Sequence, residues 1–210
     1  MNAKAARRVV SATFFFLCGT LIGMWASRIP DIKNATGLDE GGFGMLLLVM
    51  ACGAFVAFPF TGILIDRMGA APVSKGLAVA VVAAFTMIGL APTTPLLAAA
   101  MFLSGFCFGA LDVAMNGWGA EVEKVFGRPV MSSFHGLYSL GAGVSAAAGG
   151  AAIGMDLGVA LHFVLWAAMS VPFIVWICLE SWPNMDGAAE KKRQGAATCV
   201  AEGGPWFLSG

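Results

Sequence analysis

Six uninterrupted apolar segments constrain the fold of this chain more than any other feature of its sequence. Each is close to the ~20 residues that an α-helix needs to cross the ~30 Å hydrocarbon layer of a bilayer. Of the 210 residues, 59% are hydrophobic and 11% are charged, whereas a soluble domain carries about 25% charged residues. The sequence therefore predicts an all-α, polytopic membrane protein with six transmembrane helices. The predicted spans are Val9–Ala26, Phe43–Ile65, Val73–Leu90, Leu96–Trp118, Val130–Ile153 and Val159–Leu179.

Composition and charge argue against several other classes of protein. A membrane β-barrel would show short segments of alternating polarity, and these apolar runs are continuous. Twelve basic and twelve acidic residues provide no cationic excess for nucleic acid. The cysteines lack the spacing of a metal site, so no metal or cofactor is expected and they are interpreted as small apolar residues. Four lie in separate apolar runs and the fifth in the tail: Cys18, Cys52, Cys107, Cys178 and Cys199.

The basic residues predict the orientation of the spans. The first segment follows a basic cluster, but its apolar run is too long for a signal peptide and lacks a small-x-small cleavage site, so a first transmembrane helix is expected. A cytoplasmic N-terminus leaves only Arg28 and Lys33 on the outer side. The positive-inside rule then predicts an inner (plasma) membrane protein with both termini cytoplasmic. The ten cytoplasmic basic residues would be Lys4, Arg7, Arg8, Arg67, Lys75, Lys124, Arg128, Lys191, Lys192 and Arg193.

The spans divide into two blocks of three helices. Three is an odd number, so the two blocks would have opposite topology, a 3+3 inverted repeat that is common in secondary transporters. Residues 1–180 would form the six-helix bundle, and residues 181–210, rich in Ala and Gly, a flexible cytoplasmic tail. Three GxxxG pairs are expected to pack within the bundle rather than to mediate dimerisation: Gly19/Gly23, Gly105/Gly109 and Gly150/Gly154.

The turn between the second and third spans carries the sharpest local pattern. Gly62, Asp66, Arg67 and Gly69 lie within eight residues. The two glycines permit a close helix end and a tight turn, and the charged pair can cap helix ends or interact with neighbouring loops. An ordinary charged turn that fixes topology is the alternative.

An acidic residue within the fourth span is the first candidate for chemistry. Asp112 and Asn116 are four residues apart and therefore share one helix face. A carboxylate in a membrane helix costs several kcal/mol unless it is paired, protonated or hydrated, so it indicates function by default. A structural carboxylate bonded to a neighbouring helix is the alternative.

The fifth span opens with a second polar group. His135, Tyr138 and Ser139 share a face through three- and four-residue spacing. From the predicted span ends, Asp112 and His135 both lie about 8–9 Å inside the cytoplasmic helix ends. Consecutive antiparallel helices are usually neighbours, so contact between these two residues is expected. The pair would bind and release a proton, or alternatively form a static hydrogen bond.

The motif Gly62-x-Leu64-x-Asp66-Arg67-x-Gly69 resembles the loop signature of the major facilitator superfamily. In that family this loop lies between helices two and three and latches the cytoplasmic side during alternating access. The resemblance implies the N-terminal half of a twelve-helix fold, with the C-terminal half, or a second copy, as its partner. It departs from the signature at Ala70–Pro72, where basic residues are usual. The tail would match the central loop of that fold, and Pro205–Leu208 the opening of a seventh helix.

Two further stretches resemble the fucose–proton symporter branch of that superfamily. They are the LDVAMN sequence around Asp112 and Asn116 and the SFHGLYSLG sequence that contains His135. The branch carries a Glu where Asp112 stands, and an Asp near the end of helix one where Ala26 stands, so that second proton site is absent. Arg28 is the nearest charge and would pair with an anionic substrate, or else be a solvated loop arginine.

The sequence therefore predicts proton-coupled transport of a small sugar-like or drug-like solute and no enzymatic activity. A non-transporting scaffold or a self-dimerising half-transporter is the first alternative. An intramembrane serine protease is the remote one, because Ser104-Gly105 and His162 superficially resemble a nucleophile and base. That alternative is weakened by Phe102 in place of the first glycine of the GxSG motif, and His162 is more simply a structural histidine.

Overall fold

Six long α-helices make up the part of the chain that the computed structural model describes, residues 3–179, with side chains described from residue 12 onward. All six are long and apolar enough to cross a membrane. This confirms the prediction of an all-α fold with six membrane-competent helices, whereas the predicted tail, residues 181–210, lies outside the described residues. The helices are α1 (Ala3–Thr36), α2 (Glu40–Met68), α3 (Ala70–Leu90), α4 (Thr94–Phe126), α5 (Met131–Gly154) and α6 (Val159–Leu179).

Short connections separate the helices and define two ends of the bundle. The connections α1–α2, α3–α4 and α5–α6 form what we call the Arg28 end, and α2–α3 and α4–α5 form the Arg67 end. Asp39 caps α2 by accepting a hydrogen bond from the Gly42 amide at 2.8 Å. Gly127 ends α4 in the left-handed conformation, with φ of 66°. Capping residues in the sequence therefore determine where these helices begin and end.

Two helices continue well past their predicted spans. α1 runs through Pro30 to Thr36, and α4 runs past Trp118 to Phe126. Hydropathy marks where apolar residues stop, but a helix ends only where its backbone is capped or broken. In α4 the polar residue Glu123 extends the helix and also accepts hydrogen bonds from the Val130 and Met131 amides at 3.2 and 3.0 Å. The segment between the predicted fourth and fifth spans is thus helical as far as Phe126, and a short capped junction then leads into α5.

Glycines bring two helix pairs into close packing, α1 with α5 and α2 with α4. A Cβ atom added to Gly19 would collide with the carbonyl oxygen of Tyr138, and one added to Gly105 would collide with that of Met50. Each obstacle is backbone rather than a flexible side chain. Two of the predicted GxxxG pairs therefore pack within the bundle, Gly19/Gly23 against α5 and Gly105/Gly109 against α2. The third pair, Gly150/Gly154, has no neighbouring atom within 4 Å of either added Cβ, so that part of the prediction is wrong for the described bundle.

The packing pattern matches the predicted inverted repeat. Replacing each helix by its counterpart three positions away exchanges the α1–α5 pair with the α4–α2 pair, and α3–α4 with α6–α1; all four pairs are in contact. The partner glycines also correspond, because Gly141 of α5 faces the Phe16 backbone of α1 and Gly53 of α2 faces the Phe102 backbone of α4. The same small-residue interface is thus used once in each repeat.

Candidate functional site

The middle of α4 is enclosed, with one exception. From Ser104 to Gly119 every residue is buried or partly buried except Asp112, which is exposed. This enclosure arises because α2 and α3 both pack extensively along α4. Asp112 therefore occupies the one exposed position in this stretch.

Asn116 holds Asp112 in the way that the four-residue spacing predicted. Its side-chain amide donates to the Asp112 carbonyl at 2.8 Å and to Asp112 Oδ1 at 3.2 Å. A neutral amide donor stabilises a carboxylate without neutralising it. The side chain of Asp112 is thereby oriented by a neutral partner.

α1 brings the polar residues of α4 and α5 together. α4 and α5 make little direct contact although they are consecutive, because α5 packs on α1. The His135 ring stacks edge-on against Phe15 of α1, with ring centroids 5.5 Å apart. Asp112 interacts electrostatically with His135, and Tyr138 with both Asp112 and Cys18 of α1. The predicted grouping of Asp112, His135 and Tyr138 thus occurs, but across α1 rather than by direct packing of α4 on α5.

The predicted depths of Asp112 and His135 must be corrected, because α4 ends later than its predicted span. α4 continues to Phe126, so Asp112 lies fourteen residues, about 21 Å, from its end, whereas His135 lies four residues, about 6 Å, into α5. A Cβ added to Gly119 would lie 2.9 Å from Met131 Sδ, which sets the register of the two helices. From that level Asp112 is about 10 Å and His135 about 6 Å deep. The two residues are thus at similar depth because the end of α4 projects beyond the start of α5.

Sequence reasoning missed Phe15 and Cys18 as members of this site. Both are buried on α1, with 1% and 4% of their surface exposed. The available signal was Gly19, because a glycine that admits a neighbouring helix backbone places the residues beside it against that helix. Without that signal, the sequence identifies Cys18 only as a small apolar residue.

Arg28 is not part of the Asp112 group. It lies near the Arg28 end of α1 with 2% of its surface exposed, so it is buried rather than the solvated loop residue of the alternative interpretation. Its guanidinium donates to His162 Nδ1 at 2.9 Å, to Asp31 Oδ2 at 2.7 Å and to the Leu157 carbonyl at 2.7 Å. These contacts bind α1 to α6 and to the α5–α6 turn.

The predicted latch motif lies at the Arg67 end. Gly69 adopts φ of 87° and ψ of 156°, and its amide donates to the Ile65 carbonyl at 2.7 Å, so the expected tight turn is present. Asp66 and Arg67 are exposed and form no ion pair with another described side chain. Gly62 has no neighbour within 4 Å of an added Cβ, so the close helix approach expected there does not occur within the described bundle.

The pair of residues on which the protease interpretation depends is not assembled. Ser104 is fully buried and its hydroxyl has no hydrogen-bond partner among the described residues, while His162 Nδ1 is engaged by Arg28. Among the described residues, no three His, Cys, Asp or Glu side chains cluster closely enough to hold a metal ion.

Comparisons with known proteins agree with this architecture. The family model described as Major Facilitator Superfamily matches residues 9–205. An uncharacterized transporter of Sinorhizobium fredii, y4wD, is 46% identical over 156 residues, which are 74% of this chain and 41% of that protein. An uncharacterized MFS-type transporter of Yersinia pestis is 34% identical over 67% of this chain and 37% of its own length. The membrane protein MosC of Rhizobium meliloti is 32% identical over 60% of this chain and 31% of its own length. The chain thus spans about two fifths or less of these relatives.

Proposed function

The chain belongs to the Major Facilitator Superfamily, and from this premise we propose that it is the N-terminal half of a proton-coupled secondary transporter for a small solute. The solute would be sugar-like or drug-like and would cross the inner membrane by alternating access. Relatives named as transporters support the general activity. The fucose–proton symporter branch is supported by the side-chain pairing of Asp112 with Asn116.

The observation that carries this function is the exposure of Asp112 in the otherwise enclosed middle of α4. A carboxylate at membrane depth is stable only where it is hydrated, paired or protonated. Asp112 has Asn116 as a neutral partner and His135 within electrostatic range. We infer that Asp112 faces a hydrated opening and that it gains and loses the coupling proton there, with His135 and Tyr138 beside it.

A second bundle would complete the opening. One face of α5 is an exposed seam of small residues that spans the whole helix, and small residues allow another helix to approach closely. We propose that a helix of the C-terminal half packs there, since the relatives are more than twice as long as the matched region. The unpacked pair Gly150/Gly154 belongs to this face. The seam consists of Ser132, Gly136, Ser139, Gly143, Ala147, Gly150 and Gly154.

The Arg67 end would face the cytoplasm, as the basic residues predict. On that side the exposed Asp66 and Arg67 are available to charges on the other half, which is what a latch requires. Gly62 would then serve close approach between halves rather than within this one, because no atom of another described helix lies within 4 Å of a Cβ added there.

The proton role is tested by replacing Asp112 with Asn in the complete transporter, reconstituted in liposomes that contain a trapped pH dye. L-fucose and, separately, ethidium are added as probes of a sugar-like and a drug-like solute. The parent should move protons with at least one probe, and Asp112→Asn should abolish that flux because the amide cannot be protonated. Asp156→Asn is the matched control, since it removes a carboxylate from the exposed α5–α6 turn. Equal proton flux in the Asp112→Asn variant would reject the proposed role.

The self-dimerising alternative predicts that the α5 seam faces a second copy of this chain. Gly143→Cys places a thiol in the seam, and Met169→Cys places one on an exposed face of α6, where Met169 is 72% exposed. Oxidative cross-linking in native membranes should leave Gly143→Cys monomeric if a C-terminal half covers the seam. Cross-linking through Gly143→Cys but not Met169→Cys would favour the dimer.

A further inference from the structure

A buried cluster at the Arg28 end is unused by the proposed transport mechanism. We propose that Arg28 and His162 form a pH-sensitive clamp, which ties α1 to α6 while the imidazole is neutral and opens when His162 is protonated. This inference goes beyond the proposed function and does not depend on the identity of the solute.

Three donated hydrogen bonds define the clamp. Arg28 Nε donates to His162 Nδ1 at 2.9 Å, one terminal nitrogen donates to Asp31 Oδ2 at 2.7 Å, and the other donates to the Leu157 carbonyl at 2.7 Å. Both residues of the clamp are buried, with 2% of the surface of Arg28 and 9% of that of His162 exposed. One side chain of α1 thus holds both α6 and the turn that precedes it.

The direction of the hydrogen bond fixes the state of the imidazole. Arginine has donors only, so His162 Nδ1 must present its lone pair and the ring proton must lie on Nε2. A proton added at Nδ1 removes that acceptor and places an imidazolium directly against a guanidinium. In an enclosed site this repulsion is poorly screened, so protonation and the intact clamp exclude one another.

None of the other described charged groups at this end accepts a hydrogen bond from Arg28 Nε. Asp31 is already engaged by another guanidinium nitrogen, and its side chain is 35% exposed. Lys33 pairs with Glu40, and Asp156 is exposed in the turn. α5 contributes Gly149, which packs against Ser27 and the His162 ring, and the α3 residue beside Phe163 is Gly89, so neither helix adds a titratable group there.

The clamp joins the two inverted repeats, because α1 belongs to the first and α6 to the second. Its opening would release the α5–α6 turn. The backbone hydrogen bonds of this turn include those donated by the Leu157 amide to Ala152 at 2.9 Å and by the His162 amide to Gly158 at 3.0 Å. We therefore expect acid to loosen this turn selectively while the glycine-packed α1–α5 interface stays intact.

Histidine NMR of the chain in lipid nanodiscs tests the first step. The chain has only two histidines, so a spectrum of ¹⁵N-histidine-labelled protein is assigned by comparison with His135→Gln. At about pH 8, above the usual range for histidine, His162 should carry its proton on Nε2. A proton on Nδ1 would overturn the clamp.

Hydrogen exchange tests the second step. After correction for the intrinsic pH dependence, exchange of the Leu157 and His162 amides should become at least about tenfold faster as the His162 ring becomes protonated, equivalent to ~1.4 kcal/mol. The Ala91 amide in the α3–α4 turn, which donates to the Ile88 carbonyl, is the control at the same end and should show no such step. A protonated ring with unchanged protection of Leu157 would refute the inference.

Two variants separate the clamp from general destabilisation. His162→Gln retains an oxygen acceptor but cannot titrate, so the acid step in exchange should disappear. Arg28→Gln should give fast exchange at both high and low pH. An acid step of parental size in His162→Gln would assign the effect to another group and overturn the clamp. If either variant fails to fold, the parent protein decides: the pH midpoint of His162 protonation, measured by NMR, should coincide with the pH midpoint of the step in Leu157 exchange.

Discussion

Asp112 and Arg28 illustrate two ways in which a charged group is accommodated in an apolar helix. Asp112 stays exposed and bonds to Asn116 on its own helix, whereas Arg28 is buried and distributes its donors over α1, α6 and a turn. The first arrangement is local, so the four-residue spacing predicts it. The second depends on His162, 134 residues away in sequence, and no local pattern specifies such a partner.

Gly69 carries a prediction at this scale. Its backbone angles, φ of 87° and ψ of 156°, fall in a region that is essentially restricted to glycine and costs other residues about 1–3 kcal/mol. Gly69→Ala should therefore lower the thermal unfolding temperature of the purified chain in detergent. Gly62→Ala is the matched control from the same motif, since its added methyl group meets open space inside a helix. Equal unfolding temperatures for the two variants would contradict the strained turn.

At the scale of helices, the apolar runs locate all six elements, but they do not locate the ends of α1 and α4. Apolar runs report contact with lipid or core, and helix ends depend on capping, which Gly127 and Glu123 provide for α4 and α5. The choice of helix neighbours is also only partly local. Sequence order predicts that α5 packs beside α4. The glycines of α1 instead make α1 the main neighbour of α5, so His135 reaches the site across Phe15.

The two glycine interfaces should be equally sensitive to added volume. Gly19→Ala and Gly105→Ala each place a methyl group against a backbone carbonyl, of Tyr138 and Met50 respectively. The helices must separate, which is expected to cost about 1–3 kcal/mol in each case. Gly143→Ala, which meets open space, should have a much smaller effect. Denaturant unfolding in mixed micelles measures the three differences, and a tolerated Gly19→Ala would contradict close α1–α5 packing.

For the whole molecule, the alternation of six helices divides the connections between two ends. It places three connections at the Arg28 end and two at the Arg67 end. The sequence predicts this division from span number alone, because each span reverses the direction of the chain. It does not predict which surfaces stay uncovered, since the α5 seam and Asp112 become recognisable only after the neighbours of each helix are known.

The proposed orientation predicts which end reacts with a membrane-impermeant maleimide. In a background with the native cysteines replaced, Asp156→Cys marks the exposed α5–α6 turn and Arg128→Cys marks the exposed α4–α5 connection. Ten basic residues on one side should hold the Arg67 end in the cytoplasm. Intact cells should therefore label only Asp156→Cys, and permeabilised cells should label both. Labelling of Arg128→Cys alone in intact cells would invert the topology, and it would also place His162 near the cytoplasmic face, so that the clamp would respond to internal rather than external acid.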